Sequence, residues 1–178
     1  MHFLLEKCIF YTKNHRGNHM RPSTYYIGIT GIIERLQPLR SECCNQNISL
    51  RTMNGMVNFI LSPGTYVTDN SPLRTGMHIT AFYDANQPVP LIYPPQYQAA
   101  FISRTEPGEN VMIAYFDKNL LSEENQLKLN IGPNTRVSTA NGQRYTCNIG
   151  NNLLMVYYSA TTRSIPAQTT PERIIVFC

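Results

Sequence analysis

The stretch Val57-Asn58-Phe59-Ile60-Leu61-Ser62-Pro63-Gly64-Thr65-Tyr66-Val67 has a counterpart 70 residues later, Leu127-Lys128-Leu129-Asn130-Ile131-Gly132-Pro133-Asn134-Thr135-Arg136-Val137. Val57, Phe59 and Leu61 alternate with their neighbours, and Leu127, Leu129 and Ile131 do the same. Successive side chains of an extended chain point to opposite faces, so apolar spacing of two predicts a strand with one buried face. Pro63 and Pro133 end the two runs beside Gly64 and Asn134, residues that suit a turn. A short extended piece follows in each case.

The match continues outward. Ile79-Thr80-Ala81-Phe82-Tyr83-Asp84-Ala85 pairs with Leu154-Met155-Val156-Tyr157-Tyr158-Ser159-Ala160, now 75 residues apart, so the second copy gains residues around Ala140-Asn141-Gly142-Gln143. A Pro-rich segment comes next in both copies. Each then closes on an apolar strand, Ala99 to Ile102 and Ile174 to Phe177, again 75 apart. Four features in one order predict an internal repeat. Strands are expected near 25–35, 47–52, 56–61, 78–84 and 99–103, then near 110–117, 119–122, 126–131, 152–158 and 173–178. No stretch combines apolar spacing of three and four with caps over a dozen residues, so no helix is predicted. The nearest approach, Leu120 to Leu129, contains Glu123-Glu124-Asn125, which suits a turn.

Five strands in roughly 75 residues fit a Greek-key barrel of the OB type, whose closure removes sheet edges. The expected fold class is therefore all-β: two tandem five-stranded OB-like Greek-key barrels related by the repeat. The first spans 25–104 and the second 105–178, with the polar segment Arg104-Thr105-Glu106-Pro107-Gly108-Glu109 between them. A single sandwich or one larger barrel using both halves is the rival architecture. Residues 1–24 form a leader, expected to be disordered or to precede the true start, with Met20 the alternative initiator.

Composition narrows the function. Of 178 residues, 42% are hydrophobic and 15% charged, too apolar for a disordered chain. Apolar runs such as Leu153–Tyr158 fall far short of the roughly 20 residues of a spanning helix. The formal net charge is +4, but Lys7, Lys13, Arg16 and Arg21 against Glu6 place most of it in the leader. No basic cluster follows, which argues against nucleic acid as the first reading. The 5 cysteines include the adjacent Cys43-Cys44 and no C-x-x-C pair. Free thiols, no metal site and a reducing, cytoplasmic location are the expectation. Phe3-Leu4-Leu5 and Ile9-Phe10-Tyr11 are split by Glu6 and Lys7, so no signal-peptide pattern is present.

The stretches Phe82-Tyr83-Asp84-Ala85-Asn86-Gln87-Pro88-Val89-Pro90-Leu91-Ile92-Tyr93-Pro94-Pro95-Gln96-Tyr97 and Ala160-Thr161-Thr162-Arg163-Ser164-Ile165-Pro166-Ala167-Gln168-Thr169-Thr170-Pro171 resemble those of a family of small Gram-positive bacterial proteins of uncharacterised function. The resemblance covers about residues 25–178 and leaves 1–20 outside. A looser similarity to the second stretch occurs beside copper-amine-oxidase-type N-terminal domains of cell-surface proteins. The resemblance implies a bacterial protein with tandem OB-like units and carries no activity with it.

The Pro-rich loops hold Pro88, Pro90, Pro94, Pro95, Pro166 and Pro171 of the 12 prolines. In an OB-type unit the connection between the last two strands commonly frames the ligand face, and proline reduces the freedom lost on binding. The expected ligand-binding residues are Tyr83, Asp84, Asn86, Tyr93, Gln96 and Tyr97 in the first copy and Tyr158, Thr161, Arg163 and Gln168 in the second. The competing reading has the prolines stiffening a crossover that packs back through Leu91 and Ile92. Catalysis has little to stand on: beyond the leader's His2, His15 and His19, His78 is the one histidine, and neither G-x-x-x-x-G-K-[ST] nor G-x-G-x-x-G occurs. The expectation is a non-enzymatic binding module with no cofactor and no membrane contact, taking a protein or peptide. The alternative is sequence-tolerant binding of single-stranded nucleic acid on the barrel faces. A third reading is an enzyme with its site between the halves.

Overall fold

The computed structural model describes residues 24–40 and 42–178, so the leader, with Cys8 and three histidines, lies outside the described residues apart from Thr24. Among the described residues the chain is all-β, with a single 3-10 turn at Thr68–Asn70. The first half contains β1 (Tyr26–Leu39), β2 (Glu42–Thr52), β3 (Gly55–Leu61), β4 (Tyr66–Val67), β5 (His78–Asp84), β6 (Gln96–Gln98) and β7 (Phe101–Arg104). The second contains β8 (Asn110–Phe116), β9 (Leu127–Leu129), β10 (Arg136–Thr139), β11 (Asn152–Tyr158), β12 (Ala167–Thr169) and β13 (Arg173–Phe177).

Strands β1, β2 and β3 form an antiparallel meander, and β5 pairs antiparallel with both β1 and β7. Two pairings are parallel, β3 with β6 and β4 with β7. The sheet order is β4-β7-β5-β1-β2-β3-β6. In the second half β11 pairs antiparallel with β8 and β13, while β10 with β13 and β9 with β12 run parallel. These pairings are those of the first half with β8 to β13 standing for β1, β3, β4, β5, β6 and β7.

The turns after β3 and β9 share one device. Thr65 Oγ1 accepts the Ser62 N–H at 3.0 Å and donates to the Ala99 carbonyl at 2.8 Å. Thr135 Oγ1 accepts the Gly132 N–H at 3.1 Å and donates to the Pro171 carbonyl at 2.7 Å. One hydroxyl thus closes the turn and ties it to the returning strand. Thr65→Val keeps the shape but orphans both groups, so a loss of about 1–3 kcal/mol is expected in urea unfolding. A change within error would mean that solvent replaces both bonds.

The structure corrects three sequence expectations. The closing strands correspond by 72 residues rather than 75: Tyr66 pairs with Phe101 and Arg136 with Arg173. The loop before them is three residues shorter in the second half, and the apolar run extends to Phe177 because β13 pairs with β11 as far as Leu153. Next, 119–122 is not a strand. The Asp117 carboxylate accepts the N–H of Asn119 at 2.8 Å and of Leu121 at 2.9 Å, Leu120 has φ 59°, and only isolated bridges reach Ser122 and Leu121. Finally, the β1–β2 arms run past the predicted bounds, to Leu39 and from Glu42.

Three hydrophobic layers result. Ile33, Ile48, Leu50, Phe59, Ile79, Ala81 and Ile102 fill the first. Phe116, Leu127, Leu129, Leu154, Val156, Ile174 and Val176 fill the second. Between them Phe82 and Phe101 of the first half meet Ile113, Met155, Tyr157 and Ile175 of the second. Strands β5 and β11 are therefore buried on both faces, which explains their near-continuous apolar runs. Edge-to-face contacts join Tyr26 to Phe101 at 4.9 Å and, across the halves, Tyr66 to Phe177 at 5.0 Å. The buried Tyr157 hydroxyl sits 2.7 Å from Ser103 Oγ and 3.2 Å from Thr68 Oγ1.

At the rim of this middle layer Arg173 binds Asp69 with both nitrogens, at 2.5 and 3.0 Å. The hydrogen bond from Arg173 holds the Asp69 carboxyl below its ordinary 3.8. A depressed carboxyl stabilises the fold above its unfolded value and loses that contribution as pH falls through the folded one. Solvent reaches both partners, so the pair is worth about 1 kcal/mol at most. Asp69→Asn should cost about 0.5–1 kcal/mol at pH 7, a gap that closes on acidification below 3.8 in paired urea titrations.

Candidate functional site

Asp84 ends β5 and opens the first Pro-rich loop. Its Oδ1 accepts the Asn86 N–H at 2.9 Å and its carbonyl accepts the Gln87 N–H at 3.1 Å. That is an Asx turn, the local bond that Asp offers the backbone. The far end is pinned to β3, where the Asn58 N–H donates to the Pro95 carbonyl at 2.8 Å and β6 begins. Both Pro-rich loops carry a cis proline, Pro94 and Pro166, two residues before Gln96 and Gln168 respectively.

Between loop and sheet lies a concavity of about 210 Å³. Tyr83 and Tyr97 stack in it, with ring centroids 4.0 Å apart and planes 20° apart. Tyr97 also leans on buried Phe59 at 5.7 Å, so the core holds the stack in place. Burial, and then the neighbouring Tyr97, push the Tyr83 hydroxyl above its ordinary range. Ile60, Pro88, Val89 and Pro90 form apolar walls, while Asp84, Gln96 and Gln98 supply polar groups. Asp84 is the one charged residue of this lining. Gln98 Nε2 donates to the Ile60 carbonyl at 3.3 Å.

The loop tip projects away from the protein. Leu91 is fully exposed, Tyr93 89% and Ile92 53%. The competing reading, in which Leu91 and Ile92 pack back on the chain's own strands, is thereby corrected. Pro90 accepts the Ile92 N–H at 3.0 Å, and the prolines on either side leave no slack to turn the tip inward.

The second loop is knit by its own hydroxyls. Thr162 Oγ1 accepts the Gln168 N–H at 2.9 Å, Ser164 Oγ donates to the Pro166 carbonyl at 2.7 Å, and Thr169 Oγ1 donates to the Ala160 carbonyl at 2.6 Å. An open concavity of about 380 Å³ lies against it, lined by Asn130, Thr161 and Gln168 among other uncharged residues. Asn130 Nδ2 donates to Gln168 Oε1 at 3.2 Å.

The ten sequence-selected residues thus fall into separate places. Tyr83, Asp84, Gln96 and Tyr97 converge on the first concavity, and Thr161 and Gln168 on the second. Asn86 is exposed within the turn and Tyr93 stands at the loop tip. Arg163 is exposed and lines neither concavity. Tyr158 lines neither concavity: it packs half-buried against the second core, and burial pushes its hydroxyl up. Ile60 and Gln98 are not legible in the sequence because the parallel pairing of β3 with β6 joins them across some forty residues, a contact with no local signature, whereas Val89 comes from the Pro-rich loop itself.

His78 lies elsewhere, in an open trough with Arg74, Arg104 and Glu106, its Nδ1 3.0 Å from Thr105 Oγ1 and 3.1 Å from the Thr105 carbonyl. Among the described residues no three His, Cys, Asp or Glu side chains converge as metal ligands, and no helix is long and apolar enough to cross a membrane. Cys43, Cys44 and Cys178 are exposed and unbridged. No known family model matches this chain, and no curated protein is detectably similar to it.

Proposed function

We propose that the chain is a binding module of two OB-like β units that takes a protein or peptide at the tip of its first Pro-rich loop. The pairing path supports the OB-like reading. The last strand of the first half runs in two pieces, β6 beside β3 and then β7 beside β5, so β1-β2-β3-β6/β7-β5 leads back to β1. The second half follows the same path, with isolated bridges at Leu121 and Ser122 where the first half has β2.

One observation carries the binding reading: Leu91, Ile92 and Tyr93 stand exposed on a loop whose two ends are hydrogen-bonded in place. Water-exposed large apolar side chains in succession mark a surface that gains by being covered. A loop already stiffened by proline loses little entropy when covered. Neither concavity has lysine or arginine in its lining, so a basic groove for nucleic acid has no support there.

The test is selection of random dodecapeptides on the immobilised full chain. Enriched peptides should lose about tenfold or more in affinity on Leu91→Asp, the equivalent of burying one leucine. Enrichment that the variant retains undiminished overturns the proposal. Tight binding of mixed-sequence single-stranded DNA that falls steeply with salt would replace it with the nucleic-acid reading.

A further inference from the structure

We infer that the concavity beneath the first loop receives one arginine side chain of the bound segment. This rests on the peptide-binding reading above and specifies its chemistry.

Size comes first. At about 210 Å³ the concavity is smaller than the roughly 300–1,000 Å³ of small-molecule sites, and fits a single long side chain. Its surfaces suit a planar cation. The stacked Tyr83 and Tyr97 put two aromatic rings in the lining, and aromatic rings attract a guanidinium both through the ring quadrupole and by plane-on-plane contact. Asp84 supplies the negative charge. Three ion pairs form among the described residues, and Asp84 is in none of them. Its Oδ1 serves the turn to Asn86, while Gln98, having donated through Nε2, keeps Oε1 to accept. A guanidinium, with five donors in a rigid fork, can meet a carboxylate and a carboxamide oxygen together; a lysine ammonium is a point charge.

The other half shows that the fold does not require these groups. By strand register Asp84 corresponds to Ser159 and Tyr97 to Thr169. Ser159 bonds to Glu172 at 2.6 Å and Thr169 ties down its own loop. The same strand end and the same β12-type strand thus form with a serine in place of the aspartate and without a ring stack. The charge and the stack at the first concavity are additions to the fold.

The experiment titrates the full chain, isotopically labelled, with Nα-acetyl-arginine methylamide, its citrulline analogue and its lysine analogue, following backbone amide shifts. The arginine probe should shift the amides of Tyr83, Gln96, Tyr97 and Gln98 saturably. Citrulline, which keeps the shape without the charge, should bind about tenfold more weakly, and so should the arginine probe to Asp84→Ser. Lysine should fall below arginine. No shifts at those amides, equal binding of citrulline or lysine, or an unaffected Asp84→Ser overturns the inference. Selected peptides that depend on Leu91 but contain no arginine, together with a silent arginine probe, would sink this inference alone. Arginine binding without Leu91-dependent peptides would sink the module reading alone.

Discussion

Phe116→Ala is expected to lower the unfolding free energy by about 3–5 kcal/mol, the range for removing a buried phenylalanine ring. Phe116 is completely buried at the end of β8, among Leu127, Leu129, Ile149 and Leu154. Those neighbours belong to three different segments, β9, the loop before β11 and β11 itself, so no single one can move to fill the space. Domains of this size are stable by about 5–15 kcal/mol, which makes the loss a large share of the total. The change lies in the second core, yet both halves should unfold together. Losing the second half would expose the face of Phe82 and Phe101 to water and leave Ser103 and Thr68 without the Tyr157 hydroxyl. Urea unfolding followed by far-ultraviolet circular dichroism and by tyrosine emission (the chain has no tryptophan) checks this. One transition, shifted to lower urea with an unchanged slope, is the expected outcome. Two transitions, only one of them shifted, would show the middle layer to be too weak to couple the halves.

Gly31→Ala should be as damaging, by overpacking. A Cβ on Gly31 would stand 2.4 Å from the Arg51 carbonyl oxygen and 2.9 Å from Leu50 Cγ. The first of these is backbone and cannot rotate aside. The strand pair β1–β2 must spread, and the neighbouring Ile33 and Leu50 go with it. About 3 kcal/mol or more is expected, at the upper end for overpacked cores. Gly28→Ala is the control. Its Cβ would approach Phe82 Cε1 at 2.6 Å and Thr80 Cγ2 at 3.1 Å, both side-chain atoms that can shift. About 1–2 kcal/mol is expected there. Chemical denaturation of the two variants side by side gives the ranking, and a reversed order would refute close backbone approach as the reason for Gly31.

Within the site, legibility followed distance along the chain. Tyr83 and Asp84 close a strand whose apolar run is visible in the sequence, and the prolines mark the loop. Gln96 and Tyr97 look like loop residues in the sequence, but they form β6, a three-residue strand made by its parallel pairing with β3. Three residues carry too little pattern to declare a strand. Tyr158 and Tyr157 look alike in the sequence, but β11 has a core on each side, so Tyr157 is buried in the middle layer while Tyr158 packs half-buried against the second core. The three-residue slip in the closing strands arose the same way: one apolar run looks like another until pairing selects a register.

The sequence by itself determined the strand character of the chain. Alternation at Val57, Phe59 and Leu61 and at Leu127 and Leu129, and the turns at Pro63 and Pro133, are properties of adjacent residues. Only the tertiary structure decided the strand partners, the middle layer that joins the halves, the exposure of Leu91 and the meeting of Tyr83, Tyr97, Ile60 and Gln98 around one concavity. A residue's choice between extended and turned backbone is set by its own side chain and its neighbours. Partner and register are set by burial summed over residues far apart in the chain, and no local pattern records that sum.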